Sequence, residues 1–298
     1  MKEVAPGVFV ETGYASGNVG AIVTGAGLVC VDVPMRPKDV HHWRAQLELV
    51  TEEPFIMLVQ TDYDRARVLS TGMFNVPLVA HDAAWSRMHI YNSEKVLGQI
   101  NEMLYGDGSR RTWQGRMPDI TFSERLVVHK GHRELHILHG GGHSPATSMV
   151  YLPQENLLFS GDVLFAGVHP IMSHAVTQQW LSTLTALRKM SVDLIVPGHG
   201  EVCDKTASYP LSEYIREMRA AVRRNFRAGR SKSETSSVLI PQFVDAFPYA
   251  EHERDLVRMR VKGGSDRIYD EYRAAARARE ATGAPDGQES RRRKRRRR

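Results

Sequence analysis

The chain has 298 residues and is 42% hydrophobic, which is enough to bury a large α/β core in one domain. Its formal charge of +6 comes from the last eight residues, Arg291–Arg298, because the rest of the chain carries 32 basic and 34 acidic residues. This distribution excludes a basic binding face spread over the body of the protein.

Cysteine content and hydropathy bear on the cellular compartment. The chain has two cysteines, Cys30 and Cys203, so a disulfide framework is not expected. No stretch of about 18 apolar residues predicts a transmembrane segment, and the first residues lack the apolar run of a signal peptide. We therefore expect a cytoplasmic protein.

The first half of the chain is predicted to contain short strands, a helix and further strands. Alternating apolar and polar residues between glycine-containing turns predict antiparallel strands over residues 4–33. Pro37 and the helical spacing of Val40, Trp43 and Leu47 predict the helix that follows. Further strands are predicted at Phe55–Val59, Val76–Ala80 and Ile120–Val128, and an outer helix at Ala83–Leu104.

The second half repeats this pattern and then becomes helical. Strands are predicted at Glu134–Leu138, Ser148–Leu152, Leu157–Phe159 and Asp193–Val196, with a helix at Val176–Met190. Later helices are predicted at Leu211–Ala228, Ser233–Leu239 and His252–Arg279, the last broken at Gly263 and Gly264. Two such halves predict a four-layer αββα sandwich over residues 1–280, with ligands on loops along one edge of the sheets. Residues 281–298 are predicted to be a disordered linker and basic tail.

Three residues typical of metal ligands follow apolar runs in the second half. His143 lies in Gly140-Gly-Gly-His-Ser-Pro-Ala, Asp162 in Phe159-Ser-Gly-Asp, and His199 in Val196-Pro-Gly-His-Gly. Loops at strand ends commonly deliver single metal ligands from the edge of a buried sheet. The pattern predicts that these three side chains meet in one metal site.

These motifs resemble the second half of the metal-site signature of the metallo-β-lactamase superfamily. The opening Val4-Ala-Pro-Gly-Val-Phe-Val and the strand Gly27-Leu-Val-Cys-Val-Asp-Val-Pro are similar to it as well. The resemblance covers residues 3–275 and implies the four-layer sandwich. The Gly-His-Ser-Pro and Pro-Gly-His-Gly motifs are most similar to the glyoxalase II-type branch.

The first half of the signature is altered in this chain. The family carries Thr-His-x-His-x-Asp-His, whereas this chain reads Thr61-Asp-Tyr-Asp-Arg-Ala-Arg67. Asp62 and Asp64 stand where two histidines hold the first metal in the family, and Ala66 and Arg67 replace the aspartate and histidine of the second. All four ligand positions have changed.

The resemblance therefore implies a metal site made of Asp62, Asp64, His143, Asp162 and His199. Imidazoles and carboxylates bind zinc, and carboxylates also suit manganese or iron(II). Three carboxylates, one arginine and one divalent ion sum to zero charge, whereas a second ion would leave the cluster positive. We therefore predict one divalent ion per chain.

The candidate catalytic residues are Asp62, Asp64 and Arg67. In the family, the aspartate replaced by Ala66 orients the attacking water, and whichever of Asp62 and Asp64 does not bind the ion is the best substitute base. Arg67 is able to pair with Asp162 or to hold an anionic substrate group. Three alternatives stay open: the aspartates cap a helical turn, the motif is an empty relict, or Arg67 is an ordinary salt-bridged arginine.

The sequence thus predicts metal-dependent hydrolysis of an ester, thioester or lactone-like bond in a small molecule. A catalytically silent binding or regulatory protein is the rival hypothesis. A third is association with nucleic acid through the basic tail.

Deleting the tail Arg291–Arg298 is expected to abolish binding to polyanions, because the deletion changes the formal charge from +6 to −2. Titration of single-stranded DNA at low and at moderate salt measures the effect. Binding that survives the deletion, or that hardly weakens with salt, would place a nucleic-acid site on the body of the protein.

Overall fold

The computed structural model describes residues 1–89, 96, 98–100, 102 and 116–282. The basic tail, most of the linker and much of the helix predicted at Ala83–Leu104 lie outside these residues. The chain divides into two compact units. The first contains Met1–Pro170 and His174–Glu213, and the second contains Ile171–Ser173 and the chain from Tyr214. The assignment of residues 1–280 to one domain stays a prediction.

The first unit contains a seven-stranded sheet whose strand order follows the sequence. Its strands are β1 (Lys2–Ala5), β2 (Val8–Glu11), β3 (Val19–Val23), β4 (Leu28–Val31), β5 (Phe55–Val59), β6 (Leu78–His81) and β7 (Ile120–Phe122). Neighbours from β1 to β4 pair antiparallel, and those from β4 to β7 pair in parallel. The parallel pairs require crossover connections, which include the helices α1 (Pro37–Glu48), α2 (Arg65–Val68) and α3 (Asp82–Met88).

A five-stranded sheet completes the strands of this unit, in the order β12-β11-β10-β9-β8. Its strands are β8 (Arg125–Lys130), β9 (Arg133–His139), β10 (Ser148–Leu152), β11 (Leu157–Ala166) and β12 (Leu194–Gly200), and α4 (Thr177–Leu187) connects β11 to β12. The prediction of one strand at Ile120–Val128 is wrong, because the chain leaves the first sheet after β7 and enters the second at β8.

The two sheets pack face to face around one apolar core. Contact is so close that a Cβ atom on Gly20 would lie 2.2 Å from the Phe159 ring. On the outer face of the first sheet, α1 buries Trp43. On the second sheet, the Trp180 indole of α4 donates a hydrogen bond to the Val163 carbonyl at 2.8 Å. The predicted four-layer αββα sandwich is confirmed.

The later helices are α5 (Ser208–Arg227), α6 (Lys232–Phe243) and α7 (Arg254–Thr282). The predicted break at Gly263 and Gly264 is wrong, because α7 continues through both residues. Gly264 is buried, and a Cβ atom there would lie 3.0 Å from the Met172 sulfur and 3.1 Å from the Met218 sulfur. The glycine therefore permits close packing rather than ending the helix. None of the helices in the described part of the chain combines the length and apolar character that a membrane span requires.

Candidate metal centre

Four segments deliver the five predicted site residues to one edge of the sandwich. Asp62 and Asp64 follow β5, and His143 lies between β9 and β10. Asp162 and His199 were predicted on loops, but they lie within β11 and β12. The pairing of these two parallel strands shifts register on both sides of Gly161, which adopts a φ of +50°. This irregularity displaces Asp162 from a regular ladder position.

Three of the predicted ligands form one cluster. Asp62, Asp64 and His143 each offer an atom within 4.8 Å of the other two. Asp162 and His199 are not part of this cluster, and they form a second pair in which His199 Nε2 lies 3.5 Å from Asp162 Oδ1. The five predicted ligands therefore lie in two halves of the site rather than in one cluster.

Asp62 is buried at the centre of the first half, with 1% of its surface exposed. Its Oδ1 atom accepts hydrogen bonds from Tyr63 N and Ser144 Oγ, each at 2.7 Å. Its Oδ2 atom accepts one from Thr147 Oγ1 at 2.6 Å and lies 3.1 Å from His143 Nδ1. Asp62 therefore joins the end of β5 to the loop that carries His143.

Asp64 occupies the N-cap position of α2 but makes no side-chain capping hydrogen bond. The capping alternative therefore does not describe Asp64, although Asp62 does accept a bond from one backbone amide. The Asp64 carboxylate lies 3.6 Å from His143 Nε2. Burial raises the pKa of Asp64, and the neighbouring carboxylates of Asp62 and Asp162 act in the same direction.

His143 is buried between these two aspartates. Burial alone would lower its pKa, but the hydrogen bond and negative charge of Asp62 outweigh burial and raise the pKa. Asp162 and Asp64 contribute to the same shift. The first half of the site therefore favours a positive charge at this position.

Arg67 fills the second half of the site. It is 1% exposed, and its Nε and Nη2 atoms donate hydrogen bonds to the two Asp162 carboxylate oxygens at 3.3 and 2.5 Å. Nη1 and Nη2 also donate to the carbonyl oxygens of Asn18 and Gly198 at 2.9 and 3.0 Å, and Nη1 lies 3.3 Å from Asp32 Oδ2. Four of the five N–H groups of Arg67 therefore donate hydrogen bonds within the protein, and the side chain is too deeply buried to reach a substrate anion. Pairing with Asp162 is the alternative that the structure shows.

The charges in this half are mutually stabilised. Burial would raise the pKa of Asp162, but Arg67 and the two imidazoles hold it well below its usual range. Burial lowers the pKa of Arg67, but Asp162 and Asp32 more than reverse this shift. Burial raises the pKa of Asp32 to about 6 even though Arg67 and Thr61 oppose the change.

Several supporting residues were not predicted from the sequence. Asp32 accepts hydrogen bonds from Thr61 N and Oγ1 at 2.8 and 2.6 Å, which fixes the start of the altered motif. The Asn18 amide donates to the carbonyl oxygens of Pro197 and Gly200, each at 2.8 Å, and so secures the His199 segment. The position of Asp32 directly after β4 was a usable signal, whereas nothing local marked Asn18.

Two further histidines lie near the site. His174 Nε2 is 4.0 Å from Asp64 Oδ1, and its ring meets the Tyr63 ring edge-on at 5.9 Å. His139 lies 3.0 Å from the Pro145 carbonyl oxygen through Nε2 and stacks on His81 at 4.0 Å. His174 therefore faces the cluster of Asp62, Asp64 and His143, whereas His139 supports the loop that carries His143.

Comparison with known proteins agrees with this architecture. The sequence model of the metallo-β-lactamase superfamily matches residues 66–199, which begins after Asp62 and Asp64. No curated protein matches the chain in sequence.

Solved structures with the same fold include three proteins from different organisms. A metallo-β-lactamase from Pontibacter korlensis is 19% identical, with a TM-score of 0.56, over 72% of this chain and 97% of its own. A metallo-β-lactamase family protein from Thermus thermophilus is 14% identical, with a TM-score of 0.66, over 90% and 95%. A sec-alkylsulfatase from Pseudomonas sp. is 14% identical, with a TM-score of 0.65, over 91% and 49%. The chain therefore has the metallo-β-lactamase fold, and its residues 66–199 carry the sequence pattern of the metallo-β-lactamase superfamily.

Proposed function

We propose that the protein is a hydrolase with a single divalent ion, acting on an ester, thioester or lactone-like bond in a small molecule. The observation that carries this proposal is that only one half of the site contains an arginine. Arg67 supplies the positive charge in the second half, and Asp62, Asp64 and His143 stay together in the first. The motifs around His143 and His199 support a relationship to the glyoxalase II-type branch.

The donor set of the first half fits a divalent ion. It combines carboxylate oxygens with an imidazole nitrogen, a mixture that suits zinc and also manganese or iron(II). Asp64 is 18% exposed in its side chain, which leaves a path from solvent. In the second half, Asp162 already carries a buried cation on both oxygens, so a second ion would have to displace Arg67.

A bound divalent ion polarises a substrate carbonyl and lowers the pKa of a bound water toward about 7. The protein's own residues orient the reacting groups. Asp62 fixes the orientation of the His143 ring. Arg67 pairs with both Asp162 and Asp32, so the repulsion between these two buried carboxylates is reduced. Asp64 is the carboxylate left to bind the ion or to accept a proton from water.

Protein purified without added metal or chelator is expected to contain about one divalent ion per chain. The reason is that Ala66 and Arg67 replace the two residues that would bind a second ion but not the first. Elemental analysis measures this content. The substitution His143→Ala should remove the ion, whereas His139→Ala should retain it, because His139 contacts the loop backbone.

Two tightly bound ions per chain would contradict the single-ion proposal. Equal loss of metal from the two histidine variants would show that the loop is misassigned. Hydrolysis of ester, thioester and lactone substrates by the metal-loaded protein then tests the reaction itself.

A catalytically silent binding protein is the second candidate. The saturation of Asp62 and Arg67 by protein donors and acceptors favours it, because neither side chain is left to act on a substrate. Metal binding without turnover of any of these substrates would support this candidate over the hydrolase.

A further inference from the structure

We infer that His174 is a ligand of the ion together with Asp64 and His143, and that Asp62 is a positioning residue rather than a ligand. The inference rests on the proposed single-ion site and names its ligands. His174 lies outside the altered motif and outside the motifs around His143 and His199.

Asp62 has no oxygen lone pair left for an ion. A carboxylate offers about four acceptor positions on its two oxygens. Four donors surround Asp62: one backbone amide, two hydroxyls and one imidazole, at 2.6–3.1 Å. These four contacts are buried, because only 1% of the Asp62 surface is exposed. An ion on Asp62 would have to break one of these buried hydrogen bonds.

The contact with Asp62 fixes the orientation of His143. A carboxylate only accepts hydrogen bonds, so His143 Nδ1 carries the proton toward Asp62. The opposite nitrogen, Nε2, faces Asp64 and is the atom that would give up its proton to bind an ion. A carboxylate behind a ligating histidine is a common arrangement that fixes the ring and increases its basicity.

Asp64 lies close to both His143 and His174. Its Oδ2 atom lies 3.6 Å from His143 Nε2, and its Oδ1 atom lies 4.0 Å from His174 Nε2. Both distances exceed those of hydrogen bonds. Two ligand atoms on one tetrahedral zinc ion, with bonds near 2.0–2.2 Å, lie about 3.4 Å apart. The spacing is therefore close to that of side chains that share an ion.

His174 is the residue that completes the ligand set in this proposal. Asp64, His143 and His174 do not all lie within 4.8 Å of one another, so His174 has to move toward His143 to complete the set. Its side chain is 55% exposed, which gives the ring room on the solvent side. The edge-on contact with the buried Tyr63 ring keeps the imidazole on the Asp64 side. One carboxylate and two imidazoles would leave a fourth position open, as in catalytic zinc sites.

Cobalt(II) binding to the full-length protein tests this assignment, because the visible spectrum of cobalt reports its ligands directly. His174→Ala is expected to weaken cobalt affinity by at least about tenfold and to change the visible spectrum, because a ligand is lost. His174→Cys is expected to add a thiolate-to-cobalt charge-transfer band. Asp62→Asn should weaken affinity by about 10–100-fold, the range for residues behind a ligand, but keep the wild-type band shape. His41→Ala, at an exposed histidine of α1, is the matched control and should change neither.

The outcomes separate the two proposals. Unchanged affinity and spectrum in His174→Ala, with no charge-transfer band in His174→Cys, would overturn the role of His174 while leaving a single-ion site in place. A changed spectrum in Asp62→Asn would make Asp62 a ligand and overturn its positioning role. If Asp62→Asn fails to fold, Thr147→Val, which removes one hydrogen bond to Asp62, provides the same comparison. Absence of cobalt binding by the wild type would overturn the proposed function itself.

Discussion

Replacing Arg67 with methionine is expected to lower the free energy of unfolding by about 3–5 kcal/mol, because the change leaves buried carboxylates without their cation. Arg67 is fully enclosed and pairs with Asp162 and Asp32. Urea unfolding followed by circular dichroism measures the loss. The matched control is Arg65→Met, which removes an exposed arginine from the same short helix and should change stability little.

The effect should depend on pH with a definite sign. Arg67 holds the pKa of Asp162 below its usual range, so this stabilisation is fully present above the ordinary carboxyl pKa of about 4 and is lost as pH falls through the lower folded-state value. Wild type and variant should therefore differ most at neutral pH. A double change, Arg67→Met with Asp162→Asn, should recover part of the loss. Equal stability of Arg67→Met and Arg65→Met would contradict the buried ion pair.

The double substitution Ala66→Asp with Arg67→His is expected to raise the metal content from about one to about two ions per chain, because it supplies an oxygen and a nitrogen ligand on one loop. It also releases Asp162 from the guanidinium. Elemental analysis measures the metal, and hydrolysis of ester and phosphodiester substrates should increase with it.

The single substitution Ala66→Asp is the matched control. Arg67 would still occupy both oxygens of Asp162, so this variant should keep the wild-type metal content. Unchanged metal content in the double variant would show that the loop has lost the family geometry, and would favour the silent binding protein.

The fold was predictable because local patterns and tertiary structure agree over most of the chain. The apolar residues of β2 to β4 and the helical spacing of Trp43 fall on side chains that the structure buries, although in these strands consecutive residues are buried rather than alternate ones. Failures occurred where packing overrides a local signal, as at Gly264, where a glycine interpreted as a helix break instead allows close packing.

The candidate site was less predictable, because its roles depend on contacts between distant segments. The sequence identified Asp62 and Arg67 as altered positions. It did not show that Ser144 and Thr147 donate hydrogen bonds that occupy the Asp62 carboxylate oxygens. Likewise, the pairing of Arg67 with Asp162 was one of two alternatives, and only the full set of acceptors, including Asn18, decides between them. Hydrogen-bond saturation is a property of assembled structure and has no signature in a single segment.

The positive charge in the second half of the site belongs to the polypeptide. An ion that binds only the folded state stabilises it by mass action, so such a protein becomes more or less stable as the free ion concentration changes. Arg67 is covalently attached and keeps its charge at all physiological pH values. The stability of this half therefore does not change with the supply of metal in its surroundings.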